Sequence, residues 1–210
     1  MHSDAKEAEK KGYAAMLEYV NKTLTSPDVM TFEFKSLSGK KFAAVYLDGV
    51  TDKALLGELV IKPLRSVREG EEDGQTAMLL ASPEIKECKE IQEVIDGILD
   101  GNAALFVEDG GAMYVIGLKN PPGRAVTEPP TQVTVKGPRE GFTEDIKTNL
   151  GLVRKRLKSS DLHIKLLSSG RQSATAVALC YIRGVCREGV PEQIEENIKK
   201  NKIDLVPDSS

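Results

Sequence analysis

Eleven residues, Asn120–Pro130, hold four prolines and one glycine and show no regular alternation of apolar and polar side chains. A proline lacks the N–H that a helix or ladder needs and pushes the residue before it into extended conformations. Such a stretch ends any regular element, so the chain is expected to fold as two small units, one on each side of it. The expected division is an N-terminal helix over residues 1–28 packed on a first unit 29–120, a linker 121–130, and a second unit 131–210. Trp is absent and only 5% of the residues are aromatic, so both cores must be mainly aliphatic.

The spacing of apolar residues predicts the elements. Asp4–Thr25 reads as a helix with Tyr13, Met16, Val20 and Leu24 on one face. Val29–Leu37 and Lys41–Leu47 read as a hairpin around Ser38-Gly39-Lys40. Thr51 is placed to cap a helix over Asp52–Ile61 that Pro63 ends, Glu69–Gly74 is an acidic loop, and Ala77–Ala81 is a short strand. Pro83–Leu99 reads as one helix, with Ile85, Cys88, Ile91, Ile95 and Leu99 on its face and Gly101 beyond its end. Ala103–Val107 and Ala112–Leu118 form a second hairpin around Asp109-Gly110-Gly111. In the second unit the readings are a strand Thr131–Lys136, a helix, a strand Leu162–Leu167, a turn Ser168–Ser173 and a long buried strand Ala174–Val185. A helix opened by Pro191 and anchored by Ile194 and Ile198 follows, then a last strand Ile203–Val206. The expected class is α/β of the α+β kind: two small subdomains, each a mixed or antiparallel sheet flanked by helices.

Charge divides the same way. Residues 1–130 carry 15 Lys and Arg against 22 Asp and Glu, whereas residues 131–210 carry 14 against 10. The two halves should attract each other, and the net charge of −3 speaks against a nucleic-acid partner. Cys88, Cys180 and Cys186 follow no metal-ligand spacing and suit a reducing compartment. The N-terminus is charged, unlike a signal peptide, and the longest apolar run, Ala176–Ile182, has seven residues where a spanning helix needs roughly 20.

The most information-rich stretch is Gly137-Pro138-Arg139-Glu140-Gly141-Phe142-Thr143-Glu144-Asp145, which ends a strand and launches a basic helix with Thr143 as its expected cap. At about 100° per residue, Ile146, Leu150, Val153 and Leu157 form a core stripe. Asn149 and Arg156 line one flank of it; Lys147, Arg154 and Lys158 line the other. Gly137–Gly141 with Arg139 has the donors for a carboxylate or phosphate, yet reads better as a turn, since no Gly-Lys-Ser/Thr ending or spaced glycine fingerprint is present. Arg154, Lys155, Arg156 and Lys158 suit a protein interface more than nucleic acid or anionic lipid, there being no aromatic stacking set nearby. Asn149 and Arg156 are placed to bond backbone at a junction. His163 reads as a strand surface residue, Cys180 as inert packing, and Asp48 and Asp52 as turn caps. No nucleophile, acid–base pair, metal cluster or cofactor motif emerges, so neither an enzyme nor a bound cofactor is expected.

The run G-P-R-E-G-F-T-E followed by N-x-x-x-x-R-x-R resembles the A subunit of the spore nutrient-germinant receptors, the GerA family. Tyr46–Asp52 is similar to that family's strand-to-helix segment, Ile98–Val107 to its helix-Gly-strand segment, and Glu128-Pro129-Pro130 to its acidic-proline linker. The resemblance runs from about Phe42 to the C-terminus. It implies the N-terminal domain of a membrane-attached receptor subunit at the spore inner membrane, on the core side, ahead of membrane-spanning segments outside this chain. The implied partners are a transporter-like B subunit, a lipoprotein C subunit and other A subunits. The implied function is signal transduction and assembly during germination, with Gly137, Pro138, Arg139, Glu140, Gly141, Phe142, Asn149, Arg154 and Arg156 as motif, interface or ligand candidates. The alternative is an amino acid or sugar held in the cleft between the two units.

Overall fold

In the computed structural model, residues 2–69, 76–119, 141–170 and 174–200 are described. The readings on Asn120–Lys136, on Gly137–Glu140, on most of Glu69–Gly74 and on Ile203–Val206 lie outside these residues.

Two strands explain the first unit. β2 (Lys41–Leu47) and β4 (Ala103–Val107) are near-continuous apolar runs, and β4 is buried at all five positions. A run with no polar face needs cover on both sides. The two strands pair antiparallel and are flanked by β1 (Val29–Lys35), β3 (Ile85–Cys88) and β5 (Met113–Ile116) in the order β1-β2-β4-β5-β3, every pair antiparallel. On one face, Ala43, Val45, Leu47, Ala104 and Phe106 pack against α2 (Tyr13–Thr23) and α6 (Ile91–Leu99). On the other, Phe42, Ala44, Leu105 and Ile116 pack against the helical segment that follows β2. The first hairpin has the expected register, from Val29 opposite Leu47 to Lys35 opposite Lys41.

Four readings are corrected. The first helix breaks at Gly12, whose φ of 88° separates α1 (His2–Lys11) from α2. The helix after Asp52 is capped by Asp52 rather than Thr51, and it passes through Pro63. Its parts are α3 (Lys53–Leu56), a π-helical stretch (Gly57–Ile61) and α4 (Lys62–Ser66). Pro63 removes the donor that Leu59's carbonyl would have taken, and the Ala81 N–H supplies one instead at 3.1 Å. Ala77–Ala81 is not a strand, for Thr76–Leu79 forms the one-turn α5. Pro83–Leu99 divides into β3 and α6, and the start of α6 is satisfied from far away, with the Ile91 N–H donating to Glu9 Oε1 at 2.7 Å. Gly101 ends α6 at φ 91°, as expected.

After residue 140, α7 (Ile146–Arg156) precedes the antiparallel pair β6 (Leu162–Ser169) and β7 (Thr175–Ile182), and α8 (Val190–Lys200) closes the described chain with Pro191 in its first turn. Leu150, Leu162 and Ile164 form a small core with Val153, Ala178 and Ile182 at its margin. β7 is half-buried at best, so the expected long buried strand is shorter and wetter, and Cys180 is exposed rather than packed.

Candidate functional site at the seat of α7

α7 has two working faces. Leu150 and Val153 face the β6–β7 pair. The adjacent stripe, Lys147, Gly151, Arg154 and Lys158, spans about 60° around the helix axis and meets the five-stranded sheet unit.

The seat on that unit is the open end of the β1–β2 hairpin. Asp28 precedes β1 and Asp48 follows β2, and the Asp48 N–H donates to the Asp28 carbonyl at 2.8 Å. Arg154 reaches Asp28. Its Nε donates to Asp28 Oδ2 at 2.7 Å, its Nη2 to Asp28 Oδ1 at 3.0 Å and its Nη1 to the Ser159 carbonyl at 3.2 Å. The two side chains are only 2% and 4% exposed. Arg154 is thus no exposed flank residue. Ser26 Oγ also donates to Asp28, so the carboxylate is well supplied with donors.

Two glycines set the distance of approach. A Cβ on Gly151 would stand 2.7 Å from the Gly49 carbonyl oxygen, and one on Gly49 would stand 2.7 Å from the Lys147 carbonyl oxygen. Gly49 also has φ 83°, a conformation that side chains resist. Behind it, Val50 lies so close to Gly101 that an added Cβ there would meet Val50 Cγ1 at 2.7 Å. Thr51 Oγ1 donates to the Gly101 carbonyl at 3.0 Å. The segments Tyr46–Asp52, Ile98–Val107 and the α7 motif therefore meet at one place.

Outer ion pairs frame the seat. Asp48 accepts from Lys53 at 2.7 Å and from Lys147 at 3.1 Å. Asp100 pairs with Lys119 and with Lys158. Lys53 and then Lys147 hold the Asp48 carboxyl below its ordinary value, and Lys119 and Lys158 do the same for Asp100. The opposite charges of the two halves are spent here.

Asn149 lies on the far flank and clamps the loop ahead of the helix. Its Oδ1 accepts from the Thr143 N–H at 2.7 Å and its Nδ2 donates to the Thr143 carbonyl at 2.7 Å. The cap itself is Asp145, which accepts from the Thr148 N–H, so Thr143 is not the cap. Gly141 is half-buried, while Phe142 and Arg156 are exposed. Asp52 caps α3, whereas Asp48 is an ion-pair centre. The sequence reading missed Asp28, Asp100 and Ser159, and gave no role to Gly49 or Gly151.

A family model described as Bacillus/Clostridium GerA spore germination protein matches residues 16–210. The chain belongs to the GerA family of spore germination proteins. It is 29% identical over 170 residues to Stage V sporulation protein AF of Bacillus subtilis, covering 79% of this chain and 34% of that protein. It is 27% identical over 191 residues to Spore germination protein KA of the same organism, covering 88% and 35%. This GerA-family chain therefore spans about a third of the length of those relatives. Its fold is shared with the crystal structure of the N-terminal domain of the A subunit of the Bacillus megaterium spore germinant receptor GerK3. The TM-score is 0.68 at 23% identity, over 90% of this chain and 71% of that one. Among the described residues, no helix is long and apolar enough to cross a membrane and no cluster of three or more His, Cys, Asp or Glu could hold a metal.

Gly151→Ala should cost about 1–3 kcal/mol in urea unfolding, because the opposing atom is backbone and cannot rotate away. Gly57→Ala, with nothing within 4 Å of the added carbon, should instead be neutral or stabilise by up to about 1 kcal/mol. Acid should loosen the seat. Carboxyls depressed on folding contribute stability that is complete above the ordinary aspartate value of about 3.9 and is lost as pH falls through the lower folded values. Urea midpoints of the parent should hold from pH 7 to 5 and drop below about pH 4; Asp48→Asn/Asp100→Asn should show a smaller acid loss.

Proposed function

We propose that this chain is the signal-coupling and assembly module of a membrane-bound spore germinant receptor subunit. The observation that carries the reading is the buried Arg154–Asp28 pair, which ties one face of α7 to the sheet unit while the next face holds β6–β7. A helix gripped on both sides transmits a displacement of either unit to the other. Its remaining surface, with Phe142 and Arg156 exposed, is left to a neighbouring subunit. The partners in this reading are the transporter-like B subunit, the lipoprotein C subunit and other A subunits, at the core side of the spore inner membrane. The reading needs no catalysis.

The test is germination of spores carrying substituted receptors. Removing one partner of a buried ion pair costs about 3–5 kcal/mol, since the other charge stays buried. Arg154→Ala should abolish the response by destabilising the domain. The surface change Arg156→Ala should leave the domain's melting temperature within a degree and lower receptor co-purification with its partners. Unchanged germination and co-purification in both variants would overturn the proposal.

A second reading has its own observation. An open cleft of about 450 Å³ lies between the two units, lined by Asn21, Thr25, Ser26 and Pro27 from one and by His163 and Lys165 from the other. In this reading it holds a small polar nutrient, an amino acid or sugar, beside the Asp28–Arg154 pair. A ligand at 100 times its Kd adds about 2.7 kcal/mol of stability, which moves a melting point by a few degrees. A thermal-shift screen against amino acids and sugars should then give one hit that Ser26→Ala weakens, and a flat screen assigns nutrient recognition elsewhere.

A further inference from the structure

A second cavity, of about 640 Å³, lies on the other side of His163 and wholly within the C-terminal part. Its wall is the stacked pair His163–Tyr181, with ring centroids 5.5 Å apart, neighbours across β6 and β7. Arg183 and Arg187, on the turn between β7 and α8, line it together with Glu188 and Glu192.

Two features of this cavity are unexplained by the fold. Arg183 is held only loosely, its Nε 3.9 Å from Asp161 Oδ1 with both side chains more than half exposed. Arg187 makes no ion pair among the described residues. Two guanidiniums and a flat aromatic wall are not needed to hold β6, β7 and α8 together, since α8 is fastened by Lys165 to Glu195 at 2.9 Å.

The geometry points to a binding site for a small monocarboxylate with an apolar or aromatic body. A guanidinium fork matches the two oxygens of a carboxylate. The apolar body lies along the Tyr181 and His163 rings. Glu188 and Glu192, the latter 4.0 Å from Lys165, line the same cavity and oppose a multiply charged anion such as phosphate more than a singly charged one. The site is distinct from the cleft between the units and does not rest on the receptor reading.

Benzoate is the probe, added to the 210-residue chain. It should raise the melting temperature by a few degrees at saturation, acetate should do less for lack of a ring, and phosphate at equal ionic strength should do nothing. Arg183→Gln/Arg187→Gln should keep the ligand-free melting temperature, because both side chains are exposed, and lose the response to benzoate. NMR of the parent gives a readout independent of that variant, with benzoate shifting the Tyr181 and His163 ring resonances. No rise with benzoate, an equal rise with phosphate, an equal rise in the double variant, or rings that do not shift would each overturn the assignment.

Discussion

The Arg154–Asp28 pair is the constraint on which the arrangement of the molecule depends. It is almost fully buried, it links residues 126 positions apart, and nothing apolar could take its place without losing its direction. The bidentate fork fixes the rotation of α7 about its axis as well as its distance from the sheet. A hydrophobic patch would fix neither to the same degree, because apolar contacts are non-directional. A buried ion pair is weak evidence of stability, since desolvation offsets most of the attraction. Its value at this seat is to select one placement of α7 among several that the small Leu150–Ile164 core would tolerate.

The glycines make that selection possible. Arg154 reaches Asp28 only because the helix backbone comes down onto the Gly49 carbonyl, and it can do so only where Gly151 has no side chain. The turn that carries Gly49 is in turn held by Thr51 on Gly101 and by the Asp52 N–H on the Leu118 carbonyl. The end of α6, the end of β5 and the β2–α3 turn thus form one rigid platform. The outer lysines add pairs of lesser worth at the rim, where solvent screens them.

Much of this was legible in the sequence, and the failures have physical causes. β2 and β4 announced themselves as apolar runs, and Gly101 and Pro191 as helix punctuation, because those signals are local. β3 was hidden inside a helical pattern, since Ile85, Cys88 and Ile91 are spaced as on a helix and the true start of α6 is satisfied by Glu9, far away in sequence. Pro63 failed as a helix stop because its missing donor is supplied by Ala81 across the fold. At the site, the charge imbalance between the halves was visible and the flank Lys147-Arg154-Lys158 was named. Its partners were not, because Asp28 carries only a local signal, that of a residue following Ser26-Pro27 at the end of a helix.

In the proposed role, α7 is the element that carries displacement between the five-stranded sheet and the β6–β7 pair. A helix held by a bidentate pair, a backbone-to-backbone glycine contact and an apolar stripe behaves as a rigid lever. Packed contacts of this kind shift between discrete arrangements instead of deforming continuously. A displacement of the sheet unit must therefore either carry α7 with it or pull Arg154 from Asp28, and the second course leaves two buried charges without their partners. That asymmetry makes the joined arrangement the stiff one.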